Sequence, residues 1–172
     1  MHFKTIISHA VTPPVWNDDD VFGGDNDVVF KEATLYVPAG SLQAYKQHTY
    51  WGQFQNIKEL NSTGGLNINV PTDISTWQQN PTSLHIVGSG EDSDDTPYSL
   101  DITINTSSLV GTFTELNVDW DNSVIEKDNQ PLNIVAANIK IEALASSSYE
   151  IVASFTCANN DVITFRARKD DD

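Results

Sequence analysis

The sequence predicts a mainly β protein with one cap helix, built in two parts. Residues 1–63 read as a short solenoid coil and its cap, and residues 64–172 as an antiparallel β-barrel or β-sandwich. Three observations carry this. Apolar residues alternate with period two in segments such as Tyr98-Ser99-Leu100-Asp101-Ile102-Thr103-Ile104, the pattern of a strand with one buried and one wet face. Strand-like starts near Thr5, Leu35 and Ile57 recur about 30 and 22 residues apart, a spacing suited to stacked coils that cannot bury their inner faces singly. Asn61-Ser62-Thr63-Gly64-Gly65 is a short flexible joint, and the composition changes beyond it.

In the first part, Phe3 to Ile7 reads as a strand, and Pro13-Pro14 forbids a regular ladder after it, so residues 9–14 form a loop. Asp18-Asp19-Asp20 before Val21-Phe22-Gly23-Gly24 predicts a turn that drops Val21 and Phe22 inward. Val28-Val29-Phe30 is a further apolar patch, and Leu35-Tyr36-Val37 is the next strand. Pro38, Ala39 and Gly40 turn the chain, and Ser41 stands where a helix N-cap belongs. Leu42, Tyr45 and Thr49 fall on one helical face. Trp51, Phe54 and Ile57 return large apolar groups to the same side, and Asn56 to Leu60 closes the unit as a short strand. Trp16 and Trp51 read as core aromatics of this cap.

These residues carry a family resemblance over about residues 3–60. SHAVTPPVW (8–16), DDDVFGG (18–24), ATLYVPAGSLQAYK (33–46) and the W-x-x-F-x-N-I-x-E-L pattern of 51–60 are similar to the terminal coil and cap of BspA-like leucine-rich repeat proteins, with LYVPAGSLQAYK the specific part. Those are surface proteins of anaerobic gut and oral bacteria, so the resemblance implies a secreted or cell-surface location and adhesion to host or bacterial surface macromolecules. Solenoids need about three or more coils, and a cap shields the last of them. At most two coils precede this cap. The expectation is therefore a C-terminal portion of a longer repeat protein, or a first strand, Phe3 to Ile7, covered by upstream repeats or another chain rather than left as a sticky edge.

The second part is rich in Ile, Val, Thr, Ser and Asn, which reads as all-β. Leu66 to Val70 alternates and stops at Pro71, and Thr72 to Asn80 is expected to be a connection containing Trp77. Ser83–Val87, Tyr98–Ile104, Val110–Val118 with a bulge at Gly111, Ser123–Glu126, Leu132–Ala143, Tyr149–Thr156 and Val162–Ala167 follow as strands, with Gly88 to Pro97 an acidic loop. Short polar loops at 106–108, 146–148 and 159–161 predict serial antiparallel connection, and Ala158 to Asp161 is the best hairpin signal. The strand runs from GTFT to VITFRAR also resemble small lipocalin-like or calycin-like C-terminal modules.

Composition narrows the function. With 24 acidic and 9 basic residues the formal net charge is −15, too few cations to neutralise nucleic-acid phosphates or to hold an anionic membrane. The single Cys157 excludes an intrachain disulfide and a cysteine-based zinc site, and reads as a small buried residue on a strand. The broken apolar run at the N-terminus is too weak for a signal peptide and too short for a membrane span, so an export signal is expected on a segment outside this chain.

Candidate sites are few. Asp18, Asp19, Asp20, Asp25 and Asp27, and separately Glu91, Asp92, Asp94 and Asp95, cluster carboxylates as calcium loops do, but neither has EF-hand spacing, and solvated turns are the expectation. His2, His9, His48 and His85 share no metal-binding spacing, and no nucleophile motif or phosphate loop occurs, so no catalytic residue, metal or cofactor is predicted. Asp170 to Asp172 reads as a frayed tail. Trp77 and Trp120 lie in the polar contexts STWQQN and VDWDNS and are the binding candidates, set against the commoner role of a Trp that covers a core edge.

The reading is a non-catalytic module of a secreted or surface leucine-rich repeat protein that binds an extracellular protein or glycan. The alternative is a small-molecule or glycan carrier whose β domain encloses a cavity. The interior discriminates: Leu100, Ile102, Phe113, Ile139, Ile151 and Phe155 either fill it or bound a cavity of about 300 Å³ or more.

Overall fold

The computed structural model describes residues 3–15, Phe22, 26–144 and 148–170. The protein is mainly β, 52% strand against 12% helix, and divides into two compact units, Met1–Leu66 and Asn67–Asp172.

The first unit is a small parallel sheet with two short helices. Strands β1 (Thr5–Ile7), β2 (Thr34–Val37) and β3 (Asn56–Glu59) pair in that order, with Thr5 opposite Thr34 and Leu35 opposite Ile57. The Val28-Val29-Phe30 patch lies on helix α1 (Asn26–Glu32), which buries Val29 and Phe30. Helix α2 (Leu42–Gln47) buries Tyr45, and a 3-10 turn at Trp51–Gln53 buries Trp51. These residues share one core with Leu35, Val37 and Phe54, bounded by Phe22, whose ring packs edge-on against Phe30 and Phe54. Asp18 to Val21, Gly23 to Asp25 and Trp16 lie outside the described residues.

Two features of this unit differ from expectation. Ser41 occupies the N-cap position, but its hydroxyl donates to the Pro38 carbonyl at 2.6 Å instead of accepting from the helix. The capping acceptor comes from β3, where Glu59 Oε1 receives the N–H groups of Gly40 (2.9 Å) and Leu42 (3.2 Å). Thr49 does not extend the helical face, because the backbone turns extended at His48, whose Nδ1 accepts the Tyr50 and Trp51 amides. The Pro13-Pro14 loop is pinned by side chains rather than by a ladder: Tyr45 Oη donates to the Ala10 carbonyl at 2.7 Å, and Trp51 Nε1 to that of Pro14 at 2.8 Å.

The second unit is a curled nine-stranded sheet that forms a half-barrel. Its strands are β4 (Asn67–Asn80), β5 (Ser83–Glu91), β6 (Pro97–Asn105), β7 (Gly111–Thr114), β8 (Val124–Lys127), β9 (Gln130–Pro131), β10 (Ile134–Ala143), β11 (Tyr149–Cys157) and β12 (Val162–Lys169). Their order across the sheet is β7-β10-β11-β12-β4-β5-β6-β8-β9.

Strand β4 corrects the expectation that residues 72–80 form a connection. It runs through Pro71, pairing parallel with β12 over 67–71 and antiparallel with β5 over 72–80, with a bulge between Ile74 and Thr76. A proline without an N–H is tolerated at this handover between partners. The crossing is close: a Cβ on Gly90 would lie 1.9 Å from the Pro71 carbonyl oxygen. The predicted acidic loop 88–97 shortens to 92–96, since β5 extends to Glu91. Serial connection is also corrected. Strand β6 pairs with β8, while β7 crosses to β10, so the 106–108 loop is a crossover. The stretch expected to be one strand from Val110 to Val118 ends at Thr114, leaving Leu116 exposed and Val118 as a lone bridge to Ile104.

The β11–β12 hairpin forms at the Ala158 to Asp161 signal, with Asn160 at φ 69°. Cys157 ends β11 buried at 5% exposure, its thiol pushed up in pKa by burial and then by Asp161. Leu100, Ile102, Phe113, Ile139, Ile151 and Phe155 are buried together in one continuous core.

Candidate functional site

The two binding candidates have different surroundings. Trp77 sits opposite Ile86 in the β4–β5 ladder, packs half-buried against the core, and stacks on Tyr149 of β11 with centroids 5.5 Å apart at 21°. It covers a core edge. Trp120 opens a 3-10 turn (Trp120–Asn122) and is 38% exposed, its Nε1 donating to the Glu115 carbonyl at 3.1 Å. The turn is anchored to the sheet by Ser123, whose hydroxyl donates to the Asp119 carbonyl at 2.6 Å and accepts the Thr103 amide at 2.9 Å.

This anchoring brings Asn122 of the turn to the outer face of β4, β5 and β6. There the polar halves of the alternating strands line a shallow groove of about 390 Å³: Gln78 and Asn80 from β4, Ser83 and His85 from β5, Asp101 and Thr103 from β6. Alternation explains their arrival, because Leu84, Ile86, Leu100, Ile102 and Ile104 take the inward positions and force their neighbours outward. His85 Nε2 and Asp101 Oδ1 lie 2.7 Å apart, both partly exposed. Asn80 Nδ2 donates to Ser83 Oγ at 3.5 Å.

The groove presents amide, hydroxyl, imidazole and carboxylate groups within one sheet face. Such a set exchanges hydrogen bonds with hydroxyls or peptide groups, and water is its competitor. Sequence reasoning picked out Trp120 and missed Gln78, Asn80, Asp101 and Asn122, although the outward half of the alternation carries most of them.

The acidic loop serves its own backbone. Asp92 Oδ1 accepts the amides of Asp94 (2.9 Å) and Thr96 (3.0 Å), and Asp95 takes φ 58°. Asp18, Asp19, Asp20 and Asp25 lie outside the described residues, and Asp27 is in the first turn of α1. Among the described residues no group of three His, Cys, Asp or Glu side chains is placed to hold a metal ion, and no helix is long and apolar enough to cross a membrane. Asp170 accepts from Arg168 Nε at 2.8 Å, and hydrogen bonds from Ser148 and then Arg168 hold its carboxyl below the usual range.

No protein-family model matches the chain, no curated protein matches it, and no solved structure matches it.

Proposed function

We propose that the chain is a non-catalytic binding module of a secreted or cell-surface leucine-rich repeat protein. Its first unit terminates the repeats, and its β unit offers the groove that Asn122 of the Trp120–Asn122 turn lines to an extracellular protein or glycan. The observation that carries the first half is the parallel register of three short strands, Thr5 with Thr34 and Leu35 with Ile57. In such a stack the outer edge of β1 is covered by a preceding coil or another chain, in keeping with the exposure of Phe3 and Ile7. The second half rests on the exposed Trp120 ring and on the amides and hydroxyls of the groove, which Asn122 of the same 3-10 turn lines.

The test is binding of the full chain to arrays of extracellular-matrix proteins and glycans, repeated with Trp120→Ala and Asn122→Ala. Retained binding by both variants, or no binding by wild type, would overturn the groove assignment.

A further inference from the structure

The change of partner at Pro71 leaves a fork in the sheet of the β unit. Arg166 of β12 and Pro71 of β4 form the last pair of the parallel ladder. Beyond it β4 continues from Thr72 with β5 alone, and β12 continues to Lys169 with β11 alone. Pro71 has no N–H with which to extend the ladder. Among the described residues no strand pairs with the edges that 72–80 and 167–169 turn away from β5 and β11. Between these edges lies an open hollow of about 480 Å³, with Thr72 and Asp73 on one side and Ala167 and Arg168 on the other. Unpaired strand edges are templates for a further strand.

The base of the fork carries an unusual charge for this chain. The sequence has two arginines, Arg166 and Arg168, and both line the hollow, in a protein of net charge −15. Register explains why they differ. Arg168 stands opposite Glu150 and its Nε donates to Asp170 at 2.8 Å, whereas the cross-strand neighbours of Arg166 are Val152 and Pro71, neither of which is acidic. Arg166 is exposed, and among the described residues it makes no hydrogen bond or ion pair. A guanidinium in this state is a bidentate receptor for a carboxylate.

The occupant follows from the closed base. A strand lying between the two edges cannot run past the Arg166–Pro71 pair, so it has to end there, and the end that suits a guanidinium is a C-terminal carboxylate. Asp73 and Glu150 also line the hollow, so a second negative charge on the ligand is disfavoured and a basic or neutral residue before the last one is preferred. Leu144 and Ala167 offer apolar surface to the final side chain. We propose that this fork binds the free C-terminus of an extended peptide, which adds as a strand while Arg166 holds its carboxylate.

The experiment is an NMR titration of the full chain with short acetylated peptides of strand-forming sequence. They end in Leu, Val, Phe or Ala, carry Lys, Ser or Asp before the last residue, and are supplied with free and with amidated C-termini. At least one free-carboxyl peptide is expected to bind, with shifts at Thr72, Ala167 and Arg168 and slower amide exchange within 167–169. Amidation should weaken it by about tenfold or more. Arg166→Gln should weaken it as much and erase the difference between free and amidated forms, and Arg166→Lys should restore part of that difference. Lys127→Gln, which removes a cation from β8 beyond β5 and β6, should leave binding unchanged. Asp73→Asn should relax the rejection of peptides with Asp before the last residue. The amidation comparison needs no variant, so it decides the question even if a substitution disturbs folding. Equal binding of amidated peptides, unchanged amide exchange at 167–169, or no peptide binding would overturn the proposal. So would shifts confined to Ser83, Thr103 and Asn122, which would place the peptide in the groove, or binding of methyl glucuronide or methyl N-acetylneuraminide at Arg166 in place of peptides.

Discussion

The Glu59 carboxylate caps a helix that precedes it by 17 residues, accepting the Leu42 N–H at 3.2 Å as well as that of Gly40. A strand end thus fixes the start of α2, and through Tyr45 it fixes the aromatic core beneath. Removing the acceptor leaves the first helical amide, Leu42, and the turn amide of Gly40 to water. Glu59→Ala is expected to cost about 1 kcal/mol, the usual value of a cap. Faster amide hydrogen exchange at Tyr45 and Lys46, with the β11 amides unchanged, would confirm that the loss is local.

The close crossing of Gly90 over Pro71 makes a sharp packing prediction. A methyl group at Gly90 would meet the Pro71 carbonyl at 1.9 Å, and backbone cannot give way as a side chain end can. Gly90→Ala is expected to destabilise the β unit by about 3 kcal/mol or more, at the upper end of overpacking effects. Gly64 offers the contrast, with φ +86° and open space around it, where Ala should cost only about 1–2 kcal/mol of backbone strain. Urea denaturation of the two variants compares them directly.

Trp77 and Trp120 should separate stability from binding. Trp77 stacks on Tyr149 against the core, so Trp77→Ala should cost about 2–4 kcal/mol, somewhat below the figure for a fully buried ring. Trp120 is held by one hydrogen bond at the surface, and Trp120→Ala should change stability by less than about 1 kcal/mol while removing binding in the groove. A Trp120→Ala chain that unfolds as readily as Trp77→Ala would show that the ring is structural.

The buried phenol of Tyr98 predicts a limb of the alkaline stability profile. Its folded pKa is raised above the unfolded value of 10.0, chiefly by burial, so the unfolded state loses the proton first. The associated stability is fully present below pH 10 and declines as pH rises above it, by up to about 1.4 kcal/mol per pH unit. Cys157 acts in the same direction, so the difference between wild type and Tyr98→Phe isolates the tyrosine. Parallel alkaline limbs in the two proteins would contradict the assignment.

The sequence made legible those elements whose pattern is local. Period-two alternation located β5, β6, β10, β11 and β12, and the Asn-Asn-Asp turn located their last hairpin. Residues 72–80 were misread because Pro71 looks like a strand terminator, whereas the chain changes partner there and continues. Val28-Val29-Phe30 is β-prone by composition, but it lies on a helix whose buried face is supplied by distant aromatics. Trp120 was visible as an aromatic ring in a polar setting. The groove was not, since Gln78, His85, Asp101 and Asn122 are joined only by strand register and by the Ser123 anchor.

Residue-resolved NMR mapping of the strongest-binding glycan or matrix peptide from the arrays tests the binding account most directly. The account predicts shift changes concentrated at Gln78, Ser83, Thr103, the Trp120 indole N–H and Asn122, lost on Trp120→Ala while the fold persists. No ligand-dependent change at those positions, or changes confined to the opposite face of the β unit, would contradict it.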